Sequence, residues 1–178
     1  GSGYIREYPL EQLYRDQRLN PIHEGAEAIH GIDLLGRKVL MENGVAYRLF
    51  RKNVAATVAQ AAADPALAGL AAGFAKPLVR LDEVTLTLGK LMATDPDRAL
   101  ANATIYLDAF GRVVTAWIWL RQGLAAQSGL SRDAASADFY RGKLQAARYA
   151  IEWDLPASIP QFDLLAAAND TALVMQDR

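Results

Sequence analysis

The 178-residue chain has 52% apolar residues, a formal net charge of -1 and no cysteine. This length suffices to bury a core. The missing cysteines exclude disulfides and thiolate metal sites within these residues and fit a cytoplasmic protein. The near-neutral charge gives no reason to expect a nucleic-acid partner. No apolar run approaches the roughly 20 residues that span a bilayer, so we expect no membrane span.

The first forty residues predict two helices separated by a proline turn. Pro9 fits the first turn of a short helix over about 10–18, where its missing N–H costs nothing. Asn20-Pro21 then breaks the helical pattern. A second helix is expected over about 26–41, because its apolar residues fall on one stripe.

The middle of the chain continues the helical pattern. Asn43-Gly44 is a turn signal, and a helix is predicted over 45–63 after it. The apolar stripe of the following helix contains Pro77. We therefore expect a kink or a break between residues 73 and 77.

The last third predicts three more helices. Asp95 and Pro96 form a cap signal at the start of the longest one, and Gly129 is expected to end it. The others are predicted over about 133–154 and about 161–168. Strand signals are absent, so the sequence predicts an all-α fold, an antiparallel bundle of about four to six helices.

The first 25 residues mix aromatic, charged and turn-forming residues, a mixture that no ordinary helix needs. This block resembles the last conserved block of the flavin-dependent acyl-CoA dehydrogenases. The family pattern reads Gly-Gly-x-Gly-Tyr, Glu-Tyr-Pro-Val-Glu, Tyr-Arg-Asp-Ala-Arg and Ile-Tyr-Glu-Gly-Thr. The resemblance spans residues 1–41 and rests on Tyr4, Glu7, Tyr8, Pro9, Glu11, Tyr14, Arg15, Asp16, Arg18, Glu24, Gly25, Asp33-Leu34 and Gly36-Arg37-Lys38.

The resemblance implies that Glu24 is the base that removes the α proton of an acyl-CoA thioester, while FAD accepts hydride from the β carbon. A carboxylate suits this task when desolvation raises its pKa toward the working pH. Gly25 keeps the backbone narrow where a turn opens into a helix. Residue type and spacing alone favour a structural role for Glu24, because acidic residues are common in the first turn of helices.

Further residues are implied to contact the cofactor. The turn that contains Gly1, Gly3 and Tyr4 resembles the segment that lines the FAD of a neighbouring subunit in the family; a flexible terminus is the alternative. Gly25 and Ala26 follow the candidate base. The family has Thr in place of Ala26, and the contact of its hydroxyl with the flavin is lost here.

Three other features have both a functional and a structural interpretation. By resemblance, Arg15 and Asp16 belong to a buried or interfacial ion pair, with a solvated helix face as the alternative. A patch at Arg48, Arg51 and Lys52 could meet a coenzyme A phosphate, although a solvated face is favoured. The two tryptophans of the longest helix, at 117 and 119, must face different ways, and the second is expected at an interface.

The resemblance also predicts the organisation of the chain and its partners. Residues 1–41 would end the acyl-CoA dehydrogenase C-terminal helical domain. Residues 42–178 resemble the additional C-terminal helical domain of a bacterial branch that includes enzymes acting on 3-methylthiopropanoyl-CoA. An acyl-CoA substrate, an electron-transfer flavoprotein and a homo-oligomer are implied. His23 and His30 lie seven residues apart, unlike a helical metal pair, so no metal is expected.

Two alternatives stay open. One is a helical oligomerisation module without chemistry of its own, which everything after residue 42 fits equally well. The other is a flavoprotein relative that lacks dehydrogenase activity. In either case, and in the dehydrogenase interpretation, the 178 residues alone are not expected to catalyse.

Overall fold

The computed structural model describes residues 2–20, 22 and 26–174. Within this described part no strand is present, so the all-α prediction is confirmed. Single turns of 3₁₀ or π helix join several of the α-helices. The helices are α1 (Leu10–Arg18), α2 (Glu27–Asp33), α3 (Met41–Ala62), α4 (Ala68–Ala72), α5 (Ala75–Leu91), α6 (Pro96–Leu100), α7 (Ala103–Arg132), α8 (Ala137–Tyr149) and α9 (Ser158–Ala166).

The long helices α3, α5, α7 and α8 alternate in direction. Asp82 in the middle of α5 bonds Tyr47 of α3, and Gly89 near the end of α5 lies against Leu40 just before α3. These two helices are therefore antiparallel. Helix α8 returns along α7 after a short connection and makes the most extensive helix pair in the described residues. Such alternation with short connections is the geometry of an antiparallel bundle.

The core is built from the apolar stripes of these helices, and α9 closes it against α5 and α7. An aromatic cluster joins α3 to α7: the rings of Phe50 and Phe110 stack at 5.0 Å, and Trp117 lies edge-on to Phe50 at 5.7 Å. The Trp117 indole N–H donates to Thr57 Oγ1 at 2.9 Å, which satisfies its polar atom inside the bundle. The largest fully buried side chains are Tyr106, Phe74, Phe162, Leu35, Leu67, Leu81, Leu88, Leu120, Ile151, Leu155, Leu165 and Val54.

Two of the predicted turn signals act where expected. Glu42, Asn43 and Gly44 have φ of 49°, 57° and 79°, so regular right-handed helix resumes only after Gly44. Helix α4 ends at Ala72 and α5 begins at Ala75. Pro77 therefore lies in the first turn of α5, where its missing N–H removes no helical bond.

The longest helix starts later than predicted. Asp95 accepts a hydrogen bond from the Arg98 N–H at 3.1 Å, with Pro96 at the first helical position. This cap begins the five-residue α6 instead of the long helix. The chain breaks at Asn102, and α7 begins at Ala103.

The expectation that Gly129 ends the long helix is wrong, because α7 continues to Arg132. A methyl group on Gly129 would overlap the ring of Tyr140 on α8. This glycine therefore allows two helices to approach closely, and its role is in packing and not in helix termination.

The remaining helix boundaries differ from the predicted ones by only a few residues. In place of one helix over 26–41, α2 is followed by a π-helical turn at Leu34–Lys38. In place of one over 133–154, α8 passes into a π-helical turn at Ala150–Asp154. Periodicity alone does not separate α from π turns, since both continue the helical backbone. The last helix, α9, begins three residues before its predicted start.

Candidate functional site

The three residues Gly1, Glu24 and Gly25 lie outside the residues that the structure describes. Their assignment as cofactor contact, base and turn glycine therefore stays a prediction. The described candidates are Gly3 and Tyr4 at the start of the chain and Ala26 at the start of α2.

Ala26 occupies the N-cap of α2. Its carbonyl oxygen accepts the first helical hydrogen bond, from the His30 N–H at 2.9 Å. No side-chain cap bond is made there, because a methyl group has no acceptor atom. Compared with the Thr of the family pattern, Ala26 thus lacks both the hydroxyl that follows the candidate base in sequence and a side-chain cap for the helix.

Gly3 and Tyr4 belong to a short exposed turn. A methyl group on Gly3 would meet nothing within 4 Å, so the backbone there is open to a neighbour. The Tyr4 ring lies edge-on to Tyr14 of α1 at 5.6 Å, and both rings are more than half exposed. Helix α1 itself buries none of its residues. The exposed apolar side chains of this segment are Tyr4, Ile5, Tyr8, Leu10, Leu13, Tyr14, Leu19 and Ile22.

Arg15, which was expected to form a buried or interfacial ion pair, bonds within its own helix in the described residues. Arg15 bonds Glu11 one turn earlier on α1, with an N–O distance of 2.8 Å, and the Arg15 side chain is exposed. A pair within one helix whose arginine is exposed contributes little to stability. It does not fix α1 to another element.

Helix α2 lies directly on α7. The Cα of Gly31 faces the backbone at Ala103, so closely that no larger residue fits without movement. Glu27, in the first turn of α2, lines a cavity of about 560 Å³ together with residues of α7. In that cavity Arg112 bonds both Asp108 and Asp154. The charges of Arg112, Asp108 and Asp154 are therefore paired with one another within the fold.

A polar cluster between α3, α5 and α7 was not predicted as such. Both carboxylate oxygens of Asp82 accept from the Arg51 guanidinium at 2.7 Å, and the Tyr47 hydroxyl donates to Asp82 at 2.6 Å. The Thr85 and Tyr106 hydroxyls share a buried hydrogen bond of 2.7 Å. The sequence signal that could have found it is Thr85, a hydroxyl in the middle of an apolar stripe.

The cluster perturbs its tyrosines. Burial, and then the hydrogen bond to Asp82, raise the pKa of Tyr47 far above its usual value. Burial raises the pKa of Tyr106 as well. Arg51 has Asp82 as its structural partner. The hydrogen bonds to Asp82 raise the pKa of the Arg51 guanidinium, which stays charged. The basic patch predicted at Arg51 is therefore partly an interhelical ion pair.

The described residues lack the features of two other classes of site. Among residues 2–20, 22 and 26–174, no three His, Cys, Asp or Glu side chains are grouped as a metal site requires. None of the helices in that part of the chain combines the length and apolar character needed to cross a bilayer.

Comparison with known proteins defines the class. Residues 50–176 match the family model described as "Acetyl-CoA dehydrogenase C-terminal like". This match covers most of the bundle, and the chain therefore belongs to this family. The membership expected from the first block of the sequence is confirmed.

Individual relatives extend the match toward the first block. The chain is 37% identical to 3-methylmercaptopropionyl-CoA dehydrogenase of Ruegeria pomeroyi over 152 residues, which is 83% of this chain and 25% of the relative. It is 29% identical over 164 residues to the broad-specificity linear acyl-CoA dehydrogenase FadE5 of Mycobacterium tuberculosis, covering 88% and 27%. A butyryl-CoA dehydrogenase of Syntrophomonas wolfei is 27% identical over 180 residues, covering 99% and 29%. The chain thus spans about a quarter of the length of these relatives.

Proposed function

We propose that the chain is the C-terminal part of an FAD-dependent acyl-CoA dehydrogenase that introduces a double bond next to the carbonyl of an acyl-CoA thioester. The observation that carries this proposal is the order of two matches on one chain. The acyl-CoA dehydrogenase block with Glu24 comes first, and the family match over residues 50–176 follows it.

Glu24 is the proposed base. A carboxylate oxygen of Glu24 takes the α proton, and the electron pair of that C–H bond becomes the new double bond as hydride leaves the β carbon. FAD, when bound, supplies the acceptor for this hydride. Gly25 and the start of α2 would set the position of the carboxylate. The close packing of Gly31 against α7 favours a fixed position of α2, and so of this carboxylate.

Gly1, Gly3, Tyr4, Gly25 and Ala26 are the proposed cofactor contacts. Two of the described members of this set, Gly3 and Tyr4, are accessible to a cofactor that approaches from outside the chain. Gly3 has open space at its Cα, and the Tyr4 ring is exposed beside it. The methyl group of Ala26 offers the flavin only apolar contact.

We also propose a boundary between residues 41 and 42, with 1–41 as the end of the dehydrogenase C-terminal helical domain and 42–178 as the added domain. The run of positive φ values at Glu42, Asn43 and Gly44 supports a joint in the backbone there. The two parts share one core, because Leu35 and Val39 before this joint are buried among residues of α5 and α7. The proposed protein is cytoplasmic and homo-oligomeric, takes an acyl-CoA substrate and passes electrons to an electron-transfer flavoprotein.

A second candidate is a helical assembly module without chemistry of its own. It is favoured by exposed aromatic side chains on α8, which nothing in the described fold covers. This role is compatible with the dehydrogenase proposal. A flavoprotein relative without dehydrogenase activity is the remaining alternative.

The test is an anaerobic titration of the full-length protein that carries this chain, followed by flavin absorbance. The panel includes 3-methylmercaptopropionyl-CoA, butyryl-CoA and longer linear acyl-CoAs. Bleaching by at least one thioester is expected. Bound flavin that no thioester bleaches would favour the inactive relative, and a protein without flavin would favour the assembly module.

A further inference from the structure

A groove between α7 and α8 has an aromatic side chain from each helix. It has a volume of about 560 Å³ and is lined by Trp119 of α7 and Tyr149 of α8, with Gly142 and Ala146 among the small residues beside them. Ligand pockets have volumes of roughly 300–1,000 Å³ and combine apolar walls with a few polar groups. The groove therefore has the size and the walls of a small-molecule site.

Each of the two rings has one face that points into the groove. The Lys143 ammonium lies over the Trp119 ring, 5.2 Å from its centroid, and the Trp153 ring stacks on Tyr149 with the centroids 6.5 Å apart. Neither Lys143 nor Trp153 lines the groove, so each covers the ring face that is turned away from it. The remaining faces are available to a flat ligand, because aromatic side chains hold planar rings by stacking.

Gly142 keeps the groove open. A methyl group there would meet nothing within 4 Å, so packing inside the chain does not require a glycine. Glycine is also less favourable than alanine within a helix. A larger side chain at this position would project into the groove, because residue 142 lines it. A ligand that needs this space accounts for the glycine.

The groove offers one free amide. The side-chain hydrogen bonds that α8 donates in the described part of the chain are those of Arg141, Lys143 and Arg148. The amide of Gln145, which is exposed and lines the groove, is therefore available to a ligand. An amide presents a donor and an acceptor side by side, and glutamine pairs in this way with N7 and the N6 amino group of adenine in nucleic acids.

We propose that the groove binds the adenine ring of an adenosine compound, stacked on Trp119 and Tyr149 and recognised by Gln145. The Gln145 amide N–H donates to N7 of the ring, and its Oε1 accepts from the N6 amino group. Guanine and hypoxanthine have an oxygen in place of this amino group, so the amide oxygen would find no donor. The site is separate from the chemistry of Glu24, and the proposal does not depend on the dehydrogenase activity.

The rest of the lining fits a ribose better than a phosphate. One carboxylate oxygen of Asp154 accepts from Arg112. The other can accept from the hydroxyls of a ribose, as acidic residues do in dinucleotide sites. No cation lines the groove in the described part of the chain. AMP is therefore expected to bind no more tightly than adenosine.

Equilibrium dialysis of the full-length protein against radiolabelled adenosine tests the site. Gly142→Leu should weaken adenosine binding about tenfold or more, because the new side chain occupies the groove. The variant should keep its fold, since a Cβ there meets nothing within 4 Å and leucine favours a helix. Gly69→Leu on α4 is the matched control: a methyl group there also meets nothing, and residue 69 lies outside the groove. This control should bind adenosine like the parent.

Competition with coenzyme A identifies the molecule that carries the ring. Adenosine that coenzyme A displaces from the parent assigns the groove to the adenosine end of a thioester. Adenosine that coenzyme A leaves bound assigns the groove to a separate adenosine compound. Both results support an adenine site.

Inosine gives a readout that a merely structural role of Gln145 would not change. This nucleoside carries hypoxanthine, and the parent should bind it at least about fivefold more weakly than adenosine. Gln145→Ala should bind the two nucleosides alike. A parent that binds no adenosine at millimolar concentration, Gly142→Leu that binds like Gly69→Leu, or equal binding of adenosine and inosine by the parent would each overturn the proposal.

Discussion

Gly31 of α2 lies against the main chain of α7: a methyl group on Gly31 would stand 2.6 Å from the carbonyl oxygen of Ala103. The carbonyl oxygen of Ala103 is part of the main chain of α7, so it could make room for a methyl group only if α7 itself moved. The close contact joins the part of the chain that follows the candidate base to the longest helix of the bundle. It makes the position of α2 a property of the whole bundle.

Gly31→Ala is therefore expected to lower the free energy of unfolding by about 1–3 kcal/mol, the usual cost of overpacking. Urea denaturation measures the change. Gly111→Ala is the matched control, since a methyl group there meets nothing within 4 Å in the middle of α7. It should stabilise the protein by about 0.5–1 kcal/mol through helix propensity. Equal effects of the two substitutions would contradict the close contact.

The cap at Asp95 is expected to stabilise the turn between α5 and α7. Asp95→Ala removes the acceptor of the Arg98 N–H and should cost about 1 kcal/mol. Asp97→Ala removes the neighbouring carboxylate, which lies inside α6 and is not its cap. The prediction fails if thermal unfolding shows the same loss for both variants.

The ion pair between Asp82 and Arg51 should be worth more than a surface pair, because two hydrogen bonds and the Tyr47 hydroxyl share the same carboxylate. Asp82→Ala leaves a partly buried guanidinium and a hydroxyl without their acceptor. We expect a loss of about 2 kcal/mol. Asp138→Ala, which breaks the exposed pair with Arg141, is the comparison and should cost less than about 0.5 kcal/mol.

Tyr47 makes stability sensitive to alkaline pH. Its pKa in the folded chain is raised above the usual value of 10.0. The folded state therefore keeps the hydroxyl proton where the unfolded state has lost it. The resulting stability is complete below pH 10 and is lost as pH rises above it, by up to about 1.4 kcal/mol per pH unit. Tyr47→Phe should flatten this decline in urea titrations above pH 10, and an unchanged slope would contradict the assignment.

The turn at Asn43-Gly44 and the helix start near Pro77 were predictable from the sequence, because each of these local signals has a single structural interpretation. Asn43-Gly44 marks a left-handed turn, and Pro77 marks a helix start, because their backbone restrictions act without help from the rest of the fold. Gly129 was misread because a glycine can end a helix or admit a neighbour. Only the ring of Tyr140, eleven residues later, decides between these roles.

The polar residues of the site also separate into those that a local motif predicts and those that only the fold brings together. Tyr4 and Ala26 are predicted from the order of residues in one short block, since such motifs are contiguous in sequence. The contact of Asp82 with Arg51 and Tyr47 was not found, because it joins residues more than thirty positions apart. Pairing across helices depends on register, which apolar periodicity does not specify.

The most direct test of the proposed function compares two neighbouring carboxylates in the full-length protein. Flavin absorbance is followed anaerobically after mixing with the thioester that bleaches the parent. Glu24→Gln should retain its flavin yet show no bleaching, because the α proton has no base, whereas Glu27→Gln should be bleached like the parent. Normal bleaching in Glu24→Gln would contradict the account and place the base elsewhere.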